Sequence, residues 1–221
     1  MMFLLPMVAS ADDSGYCGND TYNQNLTWTF TESTKTLTIS GTGGMRRYDN
    51  NTRKAPWYQY ISDIENVIIE EGVTSIGECA FRSGSNINSL TVPSSLTLVQ
   101  DRAFLYCSIK NIYITSLEAW CNINFEEISS SPHCDHFYLN GTELYKVVIP
   151  DGITSLNGTF SGFKGIISVK IPESVISIGH YAFYGCEQLT SIVIPKNVKS
   201  IGEYNQEIKG ETNVEIIPVS A

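Results

Sequence analysis

Apolar residues recur along this chain in short alternating runs, and the runs repeat one another. "SVISIGHYAFYGCEQLTSIVIP" at 174–195 carries the same hydrophobic skeleton as "GVTSIGECAFRSGSNINSLTVP" at 72–93. Aligned on the end of the Ile-Pro or Val-Pro run, Glu70, Pro93, Pro150, Pro172 and Pro195 share one column, spaced by 23, 57, 22 and 23 residues. A second column holds Gly77, Gln100, Asn157, Gly179 and Gly202, and a third holds Phe81, Phe104, Phe160 and Phe183. Units of 22 to 23 residues cannot bury their apolar side alone. They must stack on neighbours, which predicts one elongated β-rich solenoid rather than two globular domains.

Within a unit, "LTSIVIP" (189–195) and "VKSIG" (198–202) are too short for helices and read as two strands. The segment between units, such as "YAFYGC", places Ala, an aromatic and a thiol inward as a tight turn. Proline after the first strand marks a corner, because it cannot donate to a ladder. The buried rows are then Ile69, Leu90, Val92, Ile112, Ile114, Val147, Ile149, Val169, Ile171, Ile192 and Ile194. The alternate residues point outward and stack into two ladders. One runs Asn66, Ser89, Asn111, Lys146, Ser168, Ser191, and beside it lie Ile68, Thr91, Tyr113, Val148, Lys170, Val193. The second ladder, with Asn111 and Lys146 of the first, is the candidate partner-binding face, since Tyr and apolar residues cluster at interaction hot spots. Ordinary β-propensity accounts for the same composition equally well.

The flanks and one interruption break the period. Residues 12–60 predict a capping segment: Leu26, Trp28 and Phe30 alternate on one hairpin strand and Leu37 and Ile39 on the next. Their apolar side, with Trp57, Tyr58 and Tyr60, closes the end of a solenoid spanning 61–202, a role favoured over carbohydrate stacking by those aromatics. Residues 115–146 form an irregular enlarged repeat, with a short helix in "SLEAWCNINF" capped by Ser116 and a tight turn at Asn140-Gly141. Residues 203–221 read as a C-terminal cap or a truncated tail. At the other end, "MMFLLPMVASA" is an apolar run closed by Ala9-Ser10-Ala11, as at the distal end of a signal peptide.

Charge narrows the function classes. A net charge of -9 without a basic stripe argues against nucleic acid and anionic membrane, and no apolar run is long enough to insert in a bilayer. Of six cysteines, Cys79, Cys107 and Cys186 sit in core turn positions, whereas Cys121 and Cys134 flank the irregular loop and an exported protein permits a bridge between them. "PHCDH" at 132–136 concentrates His133, Cys134, Asp135 and His136, a remote candidate for thiol or metal chemistry. Adjacent residues on an extended segment diverge, however, and no second cluster supplies further ligands. No catalytic residue, metal or cofactor is therefore assigned. The five N-x-T sequons beginning at Asn19, Asn25, Asn50, Asn140 and Asn157 carry glycans only in a eukaryotic secretory pathway.

The pattern I/V-x-I-P-x-x-V-x-S-I-G-x-x-A-F-x-x-C-x-x-L, matched from about Ile64 to Gly202, resembles the BspA-like leucine-rich repeat family. "CGNDTYNQNLTWTFTESTKTLTISGTGGM" followed by "APWYQY" is similar to the segment that precedes such repeats. The resemblance implies a leucine-rich repeat solenoid in a secreted or cell-surface protein, and the chain is expected to be a monomer. It implies a non-enzymatic, adhesin-like module that binds a protein or glycan of a host or neighbouring cell; a passive spacer within a larger surface protein is the alternative. Fold alone names no ligand.

Overall fold

Val, Ile and Leu at every second position give each unit a strand with one apolar face, and stacking those faces builds parallel sheets. A computed structural model describes residues 12–21, 23–49, 51–127, 130–203 and 205, with the backbone of 215–218. The signal-like run at 1–11 lies outside the described residues. One sheet runs in the order Asp13–Tyr16, Leu26–Thr31, Thr36–Gly41, Asn66–Ile69, Ser89–Val92, Asn111–Ile114, His136–Leu139, Thr142–Glu143. Asn66 pairs in register with Ser89, and Ser89 with Asn111, so the steps follow the sequence period. The predicted inward rows are buried, with Ile194 only partly so.

The second strands form their own sheet, Gly43–Gly44, Val73–Ile76, Leu98–Val99 and Asn124–Phe125, stacked in parallel. Beyond residue 143 two further sheets begin. Lys146–Val148, Ser168–Lys170, Ser191–Ile194 and Glu215–Pro218 continue the first-strand side, and Ser155–Leu156, Ser177–Ile178 and Ser200–Ile201 the second-strand side. Trp120 joins the two halves. It packs against Phe125, Phe137 and Phe163 at ring separations of 5.7, 5.4 and 5.6 Å, and its indole donates to the Thr159 carbonyl at 3.0 Å.

Four details differ from the sequence reading. Thr36–Gly41 pairs in parallel with Asn66–Ile69, so the hairpin's second strand is itself a rung of the solenoid. Trp57 serves that rung as Phe81 serves the next: the two rings stack at 5.6 Å and 23°. The rung escaped the alignment because Trp replaces Phe and no proline marks its corner. Of the aromatics assigned to the cover, Trp57 is fully buried and Tyr60 stacks on Phe30, but Tyr58 is exposed beneath the Lys54 ammonium. The expected helix stops at Cys121, with the Ser116 hydroxyl accepting from the Ala119 amide, and Asn124–Phe125 is a strand. Finally, the backbone of Glu215–Pro218 pairs with Ser191–Ile194, carrying the sheet past residue 202.

The glycine column has a packing cause. A Cβ on Gly77 would stand 1.9 Å from the Arg46 carbonyl oxygen, and one on Gly202 2.5 Å from the His180 amide. The preceding rung's backbone fills that space. Gln100 occupies the same column and turns its amide oxygen back to accept from the Glu78 amide at 3.2 Å. Among the described residues, no helix is long and apolar enough to cross a membrane.

Candidate functional site

The outward ladders form two patches rather than one. In the first sheet Asn66, Ser89 and Asn111 align, laced by a bond from the Ser89 hydroxyl to Asn66 Oδ1 at 2.7 Å. Beside them Ile68, Thr91 and Tyr113 align, Thr91 half-buried and the other two exposed. Lys146 and Val148 do not continue these rows, contrary to the sequence alignment. His136–Leu139 inserts there, so His136 follows Asn111 and Tyr138 follows Tyr113. The inserted strand was missed because it carries neither the proline nor a second strand of its own. Lys146, Val148, Lys170 and Val193 lie together in the other sheet, where Val148, Lys170 and Val193 help to line a concavity of about 520 Å³ with the corner residues Pro150 and Pro172.

The inserted strand builds a cluster. Tyr113 and Tyr138 stack with centroids 4.8 Å apart and planes 18° from parallel. Asn140 and Gly141 both take positive φ, the turn that folds Thr142–Glu143 back against Tyr138 and Leu139. That return sets the Glu143 carboxylate 2.6 Å from His136 Nδ1, and the same carboxylate accepts from the Tyr145 hydroxyl. Tyr145, first, and His136 hold the Glu143 carboxyl below its ordinary value of 4.5. The bond to Glu143 pushes the Tyr145 phenol up in turn. Flat rings beside donors and a carboxylate can stack on a ligand face and bond to its edge.

The lowered carboxyl gives an expected pH response. Its contribution is complete above 4.5 and fades as pH falls through the lower folded value. The Glu143 carboxyl carbon shift, followed by NMR, should therefore titrate with a midpoint below pH 4.5. A midpoint above that value would contradict the clamp.

The 132–136 segment has a different character. Cys134 is buried, and burial first, then Asp135 and Cys186, pushes its thiol well above the ordinary value, the reverse of what a nucleophile needs. The His133 ring lies over Gly162 and titrates below its ordinary value through desolvation and then the Lys164 charge. Cys121 and Cys134 are both free thiols. Among the described residues, no group of three or more His, Cys, Asp or Glu is placed to hold a metal ion.

No curated protein sequence matches the chain. Among solved structures, a leucine-rich repeat protein of Eubacterium ventriosum is 23% identical over 87% of this chain and 68% of its own, with a TM-score of 0.36. A leucine rich cell surface protein of Faecalibacterium prausnitzii is 22% identical over 87% of this chain and 52% of its own, at 0.41. A leucine-rich repeat protein of Bacteroides ovatus is 18% identical over 87% and 56%, at 0.43. The chain thus spans about half the length of the last two. The description "BspA type Leucine rich repeat region" matches in six copies, over residues 54–135 and 134–217. With its stacked parallel rungs and stacked aromatic columns, the chain belongs to the BspA type leucine-rich repeat family.

Proposed function

We propose that this chain is a non-enzymatic interaction module of a secreted or surface-displayed protein. It binds a protein or glycan of a host or neighbouring cell through the outward face of its first sheet. The observation that carries this reading is the Tyr113–Tyr138 stack, Tyr113 exposed and Tyr138 half-buried, beside His136, Glu143 and Tyr145. A stacked aromatic pair across two rungs also stabilises the sheet, but the carboxylate bonded to His136 and Tyr145 beside it adds a polar edge that strand pairing alone does not require. The apolar leader-like run before residue 12 agrees with export.

The test is binding to immobilised host extracellular glycoproteins by surface plasmon resonance. Replacing both Tyr113 and Tyr138 by Ala is expected to weaken binding about tenfold or more, as for a hot spot, with little change in Tm. Lys170→Glu, in the other patch, should leave binding nearly unchanged. If the double variant binds as well as the parent, this face is not the site. If the parent does not bind at all, the passive-spacer reading gains.

A further inference from the structure

Asn-Gly occurs at 140–141 and at 157–158, and the two pairs differ in their surroundings. The side-chain carbonyl carbon of an asparagine lies within reach of the next residue's backbone nitrogen, and glycine there leaves the approach open because it has no Cβ. Asn140 and Gly141 are both exposed, at the tip of the turn between His136–Leu139 and Thr142–Glu143. The Ile114 carbonyl holds the Asn140 amide at 3.0 Å, but no hydrogen bond of the turn falls on the Gly141 amide. Space there is open, with nothing within 4 Å of where a Cβ on Gly141 would stand. The strand beyond has two residues and lies at the sheet's edge, so the tip opens at low cost.

The second pair is held on both sides. Asn157 is exposed, but Gly158 is buried, and the Gly158 carbonyl accepts from the Ser131 hydroxyl at 3.1 Å and from the Ser161 amide at 3.2 Å. Asn157 Oδ1 stands 2.0 Å from the place a Cβ on Gly179 would take, so its amide packs onto the next rung. Opening this turn disturbs the stacking of the solenoid.

We propose that Asn140 is a site of spontaneous backbone modification, converting to isoaspartate and thereby releasing Glu143 from His136. Hydroxide removes the Gly141 amide proton, and the nitrogen bonds to Asn140 Cγ. The bond from Cγ to Nδ2 breaks, and the side-chain nitrogen takes a proton from water and leaves as ammonia, closing a succinimide ring. Water then opens the ring. Breaking the bond from the Gly141 nitrogen to Cγ gives aspartate, and breaking its bond to the Asn140 main-chain carbonyl carbon gives isoaspartate, in which the chain runs through Cβ and Cγ. Isoaspartate adds a methylene to the backbone of a two-residue turn, so Leu139 and Thr142 lose their pairing. Thr142–Glu143 then swings free, taking the carboxylate from its place 2.6 Å from His136 Nδ1. The modification rests on the turn alone and holds whether or not the tyrosine face binds a partner.

The test is to hold the full chain at mildly alkaline pH and follow it by peptide mapping and mass spectrometry, with electron-transfer fragmentation to tell isoaspartate from aspartate. Asn140 should lose its amide about tenfold or more faster than Asn157, the difference lying in the cost of opening each turn. In the isoaspartate form the Glu143 midpoint should rise toward its ordinary value of 4.5. Freshly prepared Asn140→Asp, which adds the same charge without the methylene, should show only a smaller rise. Equal rates at the two pairs overturn the site, as does an intact Asn140 after a free peptide of residues 136–146 has converted. A Glu143 midpoint no higher in the isoaspartate form than in Asn140→Asp overturns the release.

Discussion

Removing residues 12–60 is expected to leave a protein that aggregates, or that melts roughly 10–20 °C lower. The deletion takes away three strands of the first sheet, the Gly43–Gly44 strand and Trp57. Asn66–Ile69 then becomes a bare edge, and Phe81 loses the ring stacked on it. Val67, Ile69 and Phe81 are each almost fully buried in the intact chain. Uncovering such side chains costs about 1.5–3 kcal/mol apiece, so the total is on the order of 5 kcal/mol. An open edge strand also invites pairing between molecules. Calorimetry and size-exclusion chromatography decide the matter: a monomer with the parental Tm would show that the segment does not close the solenoid.

Trp120→Ala should cost about 3–5 kcal/mol, the range for a buried Trp truncated in a core. The loss falls where the two halves meet, since the ring touches Phe125 before the break and Phe163 after it, and the Thr159 carbonyl loses its donor. In a solenoid each rung is held by its neighbours, so weakening one junction separates the halves into two cooperative blocks. Trp28 and Trp57, the remaining two of three tryptophans, both lie in the N-terminal half. Their fluorescence should then follow a different urea transition from the far-UV circular dichroism. Coincident transitions for the variant would mean that the halves are coupled elsewhere.

Most of the fold is legible in the sequence because it rests on local repetition. Proline corners, the aromatic column and the alternation of Ile and Val each repeat at one spacing, and Ser116 and Asn140-Gly141 act through bonds within a few residues. What escapes is whatever depends on which rungs are neighbours. His136–Leu139 has the apolar alternation of a first strand, yet only its pairing with Asn111–Ile114 makes it a rung and sets Tyr138 on Tyr113. The same insertion separates Lys146 and Val148 from the row to which the alignment assigned them. Trp57 is likewise recognisable as a member of the aromatic column only once its stack on Phe81 is seen. The glycine column is visible as a pattern, but its cause, the carbonyl of Arg46 against Gly77, belongs to the previous rung.

The direction of the hydrogen bonds bears on how the molecule responds to pulling. Between rungs they run along the stacking axis, as at Asn66, Ser89 and Asn111, and each rung is bonded only to the rungs beside it. Tension drawn through the two chain ends passes through the rungs in series, and the outermost rungs, bonded on one side only, give way first. The bonds of a rung then break in sequence rather than sharing the load as they do when strands are sheared past one another. The solenoid peels coil by coil, each coil of 22 to 23 residues releasing roughly 75 Å of extended chain. Under such tension the molecule lengthens at low force and recoils from the rungs that remain.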